Sequence, residues 1–123
     1  MPVNKIQQLE KLVNSELTSK IENSVIELEE LLIQTNVENI LEVIQFLKSN
    51  DEFKFRQLID IAGVDYPENE KRFELVYLLL SHEFNTRIKI SIKFEMKKKI
   101  PSIVKIFPSA NWMEREVFDM YGI

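Results

Sequence analysis

The side chains whose types and spacing come nearest to catalysis are carboxylates close to the end of the chain. Glu114, Glu116 and Asp119 lie around Arg115. Paired carboxylates can act as general acid and base, but such work needs a histidine, a metal or a nucleophile held beside them. The neighbouring sequence supplies none of these groups. We therefore favour a binding role for these residues, and catalysis stays an alternative.

Residues that could hold a cofactor are scarce. The chain has no cysteine, which excludes disulfides, a thiolate nucleophile and iron-sulfur ligation, and its single histidine, His82, has no ligand partner nearby for zinc. With only Gly63 and Gly122 as glycines, neither a dinucleotide-binding turn nor a phosphate-binding loop can be written. We expect no cofactor and no metal in this chain.

A helix is predicted around the carboxylates, with Ser109 or Asn111 as its cap and Gly122 as its stop. On a 3.6-residue period one side carries Trp112, Glu116 and Asp119, and another carries Met113, Val117 and Tyr121. Arg115 and Asp119 can pair along the helix, which would contribute ~0.2–0.5 kcal/mol at the surface. Bulky apolar side chains between charges favour burial both inside the domain and against a partner.

The elements that must position this helix follow from hydrophobic periodicity. In order, the sequence predicts a helix over 3–18, strands over 25–28 and 31–35 (or one bent strand), a helix over 36–48, and strands over 55–64, 73–81 and 87–95, before the last helix. Thr35 and Glu38 are predicted to form a capping box for the second helix.

The two strands before the last helix differ in pattern. The segment 73–80 is nearly all apolar, which predicts a strand inside the sheet with both faces covered. Segment 87–95 alternates apolar and polar residues, which predicts one face in the core and one in water. The loop 81–86 is expected to join them as an antiparallel hairpin.

The order of elements defines the expected fold class. Helix, two strands, helix, three strands, helix predicts a two-layer α+β domain, with a mixed β-sheet of about five strands and helices packed on one face. A length of 123 residues and a hydrophobic content of 45% suit one domain over 1–123. The longest uncharged apolar run, 75–80, is far below the ~20 residues of a membrane span. The first residues have no apolar core followed by a small-residue cleavage site, so we expect no secretory signal.

Charge is distributed unevenly. Residues 1–70 hold 6 basic and 14 acidic side chains, whereas residues 71–123 hold 10 basic and 6 acidic ones. Aromatic residues for base stacking are not interleaved with the basic ones, which argues against nucleic-acid binding. The lysines of 96–100 could touch lipid headgroups but are more typical of a solvated strand end. We place electrostatic docking on Arg72, Arg87, Lys89 and Lys93.

The terminal motif, Trp112 to Gly122, closely resembles a known pattern: Trp-x-Glu-Arg-Glu-x-x-Asp followed by an aromatic residue and Gly. The pattern is that of the 30 kDa subunit of the proton-pumping NADH-quinone oxidoreductase, respiratory complex I. Segments 58–67 and 72–79 resemble the family's core strands in order. The resemblance covers roughly residues 36–123, and identifies Trp112, Glu114, Arg115, Glu116, Asp119, Tyr121 and Gly122 as the family motif and candidate partner interface.

The resemblance implies a structural subunit without a redox centre, in the quinone module of the peripheral arm. Its partners would be the large 49 kDa-type subunit and neighbouring iron-sulfur subunits, while FMN, iron-sulfur clusters and quinone would belong to the assembled complex. The expected location is peripheral, on the cytoplasmic side of a bacterial inner membrane or the matrix side of a mitochondrial one. Family members generally continue past Gly122 and Ile123 with an arginine-bearing tail, so we expect the present sequence to be either the globular part alone or a truncated protein.

Three other hypotheses stay open. The motif is shared by the equivalent subunits of energy-converting hydrogenases and related membrane-bound dehydrogenases, and nickel-binding cysteines in the companion large subunit would favour that assignment. An independent small enzyme would lose turnover on Glu116→Gln. A generic interaction module would associate with no respiratory large subunit.

Overall fold

A computed structural model describes residues 5–27, 30–50, 55–66, 68, 73–81, 86–95 and 100–121, with side chains described from 7 to 117 within these ranges. The elements are α1 (Lys5–Glu16), β1 (Ile21–Glu27), β2 (Glu30–Thr35), α2 (Ile40–Ser49), β3 (Gln57–Asp65), β4 (Phe73–Ser81), β5 (Thr86–Phe94) and α3 (Ala110–Tyr121). This order confirms the predicted α+β class.

The five strands form one mixed sheet in the order β1-β2-β5-β4-β3. β2 and β5 run parallel, and the other neighbouring pairs run antiparallel. The hairpin predicted between β4 and β5 is present, with Ser81 opposite Thr86, and β4 lies inside the sheet as predicted. β3 and β1 are the edge strands.

One face of the sheet, the closed face, holds the core. Alternate residues of β4 and β5 are buried on it, as the period of two along a strand requires. These are Phe73, Leu75, Tyr77, Leu79 and Ser81 on β4, and Thr86, Ile88, Ile90, Ile92 and Phe94 on β5. Leu31 and Ile33 of β2 join the same cluster. Each large aliphatic side chain removed from water in this way contributes about 1.5–3 kcal/mol.

Helices α1 and α2 each give an apolar stripe to this core. Leu9 and Val13 are buried along α1 and Leu17 directly after its end, and Ile40, Val43, Ile44 and Leu47 are buried along α2. Both sets recur at three- and four-residue spacing, so each helix turns one side inward and leaves its charged side in water. The predicted stripe of α1 is confirmed from Leu9 onward, and the Ile6 side chain lies outside the described residues.

The predicted start of α2 is wrong. Thr35 is not a helix cap: it ends β2, is buried, and donates its hydroxyl hydrogen to the carbonyl oxygen of Lys20. The chain then makes a turn in which the Asn39 amide donates to Asn36 Oδ1 at 3.0 Å, and the helix begins at Ile40. The capping-box pattern failed because a hydroxyl engaged at the end of a strand is no longer available to a helix terminus.

Two strand predictions also need correction. β1 begins at Ile21 rather than Val25, because its first polar residues, Glu22 and Asn23, lie exposed on an edge strand where no apolar alternation marks them. β4 is not covered on both faces by the described residues: Val76, Leu78 and Leu80 are only half-buried. The side of the sheet that carries these three residues is called the open face below.

Helix α3 begins at Ala110, so Ser109 precedes the helix and Asn111 lies within its first turn. It packs against the edge strand β3. The segment that leads into it contributes Ile103, Ile106 and Phe107 to the core, through a tight turn closed by backbone hydrogen bonds to Ile103 O. The predicted stop, Gly122, lies outside the described residues.

Candidate functional site

The two sides of α3 have different surroundings. Ala110, Glu114 and Val117 are buried, and Met113 is half-buried beside them. Trp112, Arg115 and Glu116 are exposed, and Trp112 keeps 67% of its surface in water. The prediction that Trp112 and Glu116 share a side apart from Met113 and Val117 is confirmed. The terminal motif therefore combines an inward anchor with an outward surface.

Glu114 is the inward anchor. The residue is 4% exposed, and its carboxylate accepts a hydrogen bond from Ser102 Oγ at 2.7 Å and another from the Ile103 amide at 2.9 Å. Ser102 Oγ also accepts from the Val104 amide at 3.2 Å. Hydrogen bonds to an ionised carboxylate are among the stronger ones in proteins, and together they satisfy a charge that burial would otherwise penalise. Glu114 thus fastens the segment before α3 to the helix itself.

Tyr77 lies in the core near Glu114. It is fully buried, and its hydroxyl has no hydrogen-bond partner among the described residues. Burial raises the pKa of Tyr77 well above its usual value, and the negative charge of Glu114 raises it further. The hydroxyl therefore stays protonated near neutral pH and is unsuited to act as a base.

Lys48 ties α2 to the same segment. Its ammonium group donates to the carbonyl oxygen of Ile106 and lies 5.1 Å from the centroid of the Phe107 ring. Segment 102–107 is therefore held at one end by Glu114 and at the other by Lys48. These contacts hold α3 in place, so less conformational entropy is lost when a partner binds to its exposed side.

The outward side of α3 has the composition of a protein-binding surface. Trp and Arg are the residue types that contribute most often and most strongly to protein interfaces. An exposed tryptophan gains from being covered, because its large apolar ring then leaves water. The side chains of Asp119 and Tyr121 lie outside the described residues, so the pairing of Arg115 with Asp119 stays a prediction.

Three of the four predicted basic docking residues, Arg87, Lys89 and Lys93, lie on the open face of the sheet. Arg87 and Lys93 are exposed and Lys89 is half-buried, whereas Arg72 lies outside the described residues. Acidic and aromatic neighbours share this surface: Lys89 Nζ is 3.5 Å from Glu30 Oε1, and Lys93 Nζ is 5.6 Å from the Tyr66 ring centroid. The face is therefore mixed in charge rather than simply basic.

Tyr66 ties that surface together. Its hydroxyl donates to Glu74 Oε1 at 2.9 Å, and this bond, followed by the carboxylate's charge, raises the pKa of Tyr66. Glu74 lies opposite Lys93 in the ladder between β4 and β5. A carboxylate, a phenol and an ammonium group are thus linked at one end of the open face.

Sequence reasoning missed an apolar groove of about 660 Å³ in the helical layer. It lies between the end of α1, α2 and the segment before α3, and is lined by Leu17, Leu41, Phe46, Ile106 and neighbouring polar residues. One feature of the sequence could have predicted this groove. Leu41 and Phe46 lie beside the buried apolar stripe of α2 rather than within it, which indicates apolar surface that the core does not cover.

Two negative findings bear on the chemistry of the described residues. Their Asp and Glu side chains form no group that could hold a metal ion. Over the same part of the chain, none of the helices combines the length and apolar character needed to span a membrane.

The fold is a two-layer α+β scaffold, in which a five-stranded mixed sheet carries helices on one face. The last helix has an anchored inner side and an exposed side with Trp112, Arg115 and Glu116, so the candidate site is a surface rather than a cleft. Residues 33–123 match the family described as respiratory-chain NADH dehydrogenase, 30 Kd subunit. The chain belongs to this family, which confirms the resemblance drawn from the terminal motif.

Relatives share this assignment. The chain is 38% identical to the NADH-quinone oxidoreductase C subunit of Chelativorans sp. over 96% of its own length and 59% of that protein. It is 47% identical to the protein of the same name from a Wolbachia of Brugia malayi, over 76% of its length and 49% of that protein. The chain thus spans roughly half to three fifths of these relatives.

The fold also occurs in a solved structure of a complex that is not named as an NADH-quinone oxidoreductase. A chain in the structure of the membrane-bound sulfane sulfur reductase, described as an archaeal respiratory membrane complex, matches with a TM-score of 0.76 and 27% identity. The match covers 94% of this chain and 69% of the other.

Proposed function

We propose that this chain is the folded domain of the 30 kDa subunit of a proton-translocating NADH-quinone oxidoreductase, where it serves as a docking scaffold. Membership of the 30 Kd subunit family and relatives named as subunits of NADH-quinone oxidoreductase support the enzyme class. One observation carries the docking role: Trp112 is 67% exposed on a helix whose other side is buried and anchored by Glu114.

The proposed division of labour follows from the side chains present. The chain has no cysteine, so it cannot supply thiolate ligands to an iron-sulfur cluster. FMN, the clusters and the quinone are assigned to other subunits of the complex, and this chain takes no direct part in electron transfer. Its contribution is to hold a partner in the position that the reaction requires.

The proposed partner is the large, 49 kDa-type subunit of the quinone module, with iron-sulfur subunits as further neighbours. In this arrangement the outward side of α3, with Trp112, Arg115 and Glu116, contacts the large subunit. The chain would lie in the peripheral arm, on the cytoplasmic side of a bacterial inner membrane or the matrix side of a mitochondrial one.

The test is co-purification of the full-length protein with its complex from detergent-solubilised membranes, comparing Trp112→Ala and Arg115→Ala with wild type. If Trp112 is a hot spot, its truncation costs at least ~2 kcal/mol, or about thirtyfold in Kd for the large subunit. Lys11→Ala, on the exposed side of α1, is the matched surface control.

Equal recovery of the large subunit by all variants, with unchanged thermal stability, would contradict the docking role of α3. Failure of the wild-type protein to recover any respiratory subunit would contradict the assignment to a complex.

The second candidate is the equivalent subunit of an energy-converting hydrogenase or a related membrane-bound complex. The structural match to a chain of the sulfane sulfur reductase complex supports this second candidate, because it indicates that the same fold occurs in more than one respiratory complex. Mass spectrometry of the co-purified large subunit separates the two: nickel-binding cysteines indicate a hydrogenase-type complex, and their absence indicates the quinone-reducing one.

A further inference from the structure

The open face of the sheet carries more apolar surface than a water-exposed face needs. Val76, Leu78 and Leu80 of β4 lie half-buried there, whereas their neighbours Leu75, Tyr77 and Leu79 are fully buried on the closed face. A strand with two aliphatic rows is typical of burial on both faces. Among the described residues nothing completes that burial on the open side.

The apolar surface continues onto the edge strand and forms a band. Ala62 and Val64 of β3 lie opposite Val76 and Glu74 in the ladder, and both are exposed, Val64 by 37%. The apolar band is defined here as Ala62, Val64, Val76, Leu78 and Leu80. It crosses the two strands obliquely, from Val64 on β3 through the Ala62–Val76 pair to Leu78 and Leu80 on β4, because the polar residues Asp60 and Gln57 of β3 lie opposite these two leucines.

Three basic residues of β5 border the apolar band on one side, and one carboxylate, Glu74, lies among them. Along β5, Arg87 lies opposite Leu80, Lys89 opposite Leu78, and Lys93 opposite Glu74. On the other side, Asp60 of β3 lies opposite Leu78 and is exposed. Lys89 is already paired with Glu30, but Arg87 and Lys93 have no carboxylate within ion-pair distance among the described residues.

We propose that the apolar band is the docking site of an amphipathic helix from another subunit of the same complex. The helix places an aliphatic stripe on Val64, Val76 and Leu78, and carboxylates on its flank toward Arg87 and Lys93. Asp60 opposes acidic groups on the opposite flank and therefore fixes which side of the helix faces β5. The proposal rests on the proposed function, since the helix comes from a partner in the assembled complex.

The absence of cysteine from residues 1–123 makes a direct test possible, because an introduced cysteine is the only thiol within this part of the protein, and its labelling can be read from the peptide that contains it. Val64→Cys on the apolar band and Leu41→Cys on α2 form a matched pair, since the native side chains are 37% and 38% exposed. Each full-length variant is labelled with a maleimide, first alone and then in the purified complex. We expect labelling at position 64 to slow by at least about tenfold on assembly, and labelling at position 41 to change less.

Zero-length carbodiimide crosslinking of the wild-type complex identifies the occupant. We expect Lys93 to crosslink to an Asp or Glu of another subunit, within a segment whose apolar residues recur at helical spacing. Reversing the charge in Arg87→Glu should lower recovery of that subunit, and Lys11→Glu, at an exposed position of α1, should not.

Several results would overturn the proposal. Equal labelling at position 64 in the free and assembled protein would show that the band stays uncovered. Protection already present in the isolated full-length protein would assign the band to a segment of the same polypeptide, and crosslinks between copies of this chain would assign it to self-association. Failure of wild type to join any complex would instead refute the proposed function on which the helix depends, and this control is read before either variant.

Discussion

The closed and open faces of the sheet belong to the same strands but differ in what covers them. On β4, Leu75 and Leu79 are fully buried under the helical layer, and Leu78 between them is only half-buried. Successive side chains point to opposite faces, so the two environments alternate along a single strand. The apolar composition of a strand therefore indicates how much of its surface would gain from burial. How much of that surface is buried within one chain depends on whether a layer of helices covers the face.

The same contrast recurs on α3. Glu114 faces inward and is satisfied by Ser102 and the Ile103 amide, whereas Glu116, two residues later, is exposed. Two identical residues in one motif thus have different physical roles. The inward one stabilises the fold, and the outward one is available to a partner.

Truncating one leucine on each face of β4 should give the largest difference. Leu75→Ala removes a fully buried side chain and should lower the free energy of unfolding by ~2–5 kcal/mol. Leu78→Ala should cost only ~1 kcal/mol, because a half-buried side chain gives up part of its transfer free energy. Urea denaturation with an unchanged m-value measures both. Equal costs would mean that the open face is as closely packed as the core.

Exchanging each glutamate of α3 for glutamine should give the second-largest difference in stability. Glu114→Gln leaves one amide oxygen in place of two carboxylate oxygens that accept hydrogen bonds, and should cost ~1.5–3 kcal/mol of stability. Glu116→Gln is the isosteric control and should stay within ~0.5 kcal/mol. Thermal denaturation of both variants checks this. A stable Glu114→Gln protein would show that its charge is not needed to hold segment 102–104.

Removing the Tyr77 hydroxyl should be neutral or stabilising, by up to ~1 kcal/mol, because Tyr77→Phe deletes a buried polar group that lacks a described partner. The pKa of Tyr77 is raised in the folded protein above its ordinary value of 10.0. The folded state therefore binds the proton more tightly, and wild type loses stability as pH rises above 10.0, where the unfolded chain ionises. The variant should lose less over that window in urea titrations. A loss of stability at pH 7 would instead show that the hydroxyl has a partner.

The smallest effect is expected for the ion pair on the open face. Lys89 Nζ and Glu30 Oε1 are 3.5 Å apart at the surface, where water screens their attraction. Lys89→Ala should change the free energy of unfolding by no more than ~0.5 kcal/mol in 0.15 M salt. A loss above ~1 kcal/mol would place this pair among the stabilising contacts and weaken the contrast between the two faces.

Predictions from strong hydrophobic periodicity were correct, whereas predictions from short local patterns were not. The strict alternation of β5 correctly assigned Ile88, Ile90 and Ile92 to the core. The Thr35 capping box failed because the same short pattern was outcompeted by a tertiary contact, the bond from its hydroxyl to Lys20 O. The start of β1 was missed because an edge strand needs backbone pairing with β2 but little apolar alternation. Glu114 was identified as a motif residue, but its partners could not be, since Ser102 lies in a segment without periodicity.

Residue types and their periodicity were enough to predict the α+β class, the order of the elements and the side of α3 that carries Trp112, because these are properties of the chain read residue by residue. The family was indicated by the resemblance of the terminal motif and confirmed by the family match. The folded structure was needed to show that Glu114 is an internal anchor, that β4 has one covered and one open face, and that the basic residues of β5 border an apolar band. These are relations between segments distant along the chain, such as Ser102 with Glu114 and Ala62 with Val76. Their free energy arises from desolvation and hydrogen bonding that exist only once those segments are brought together.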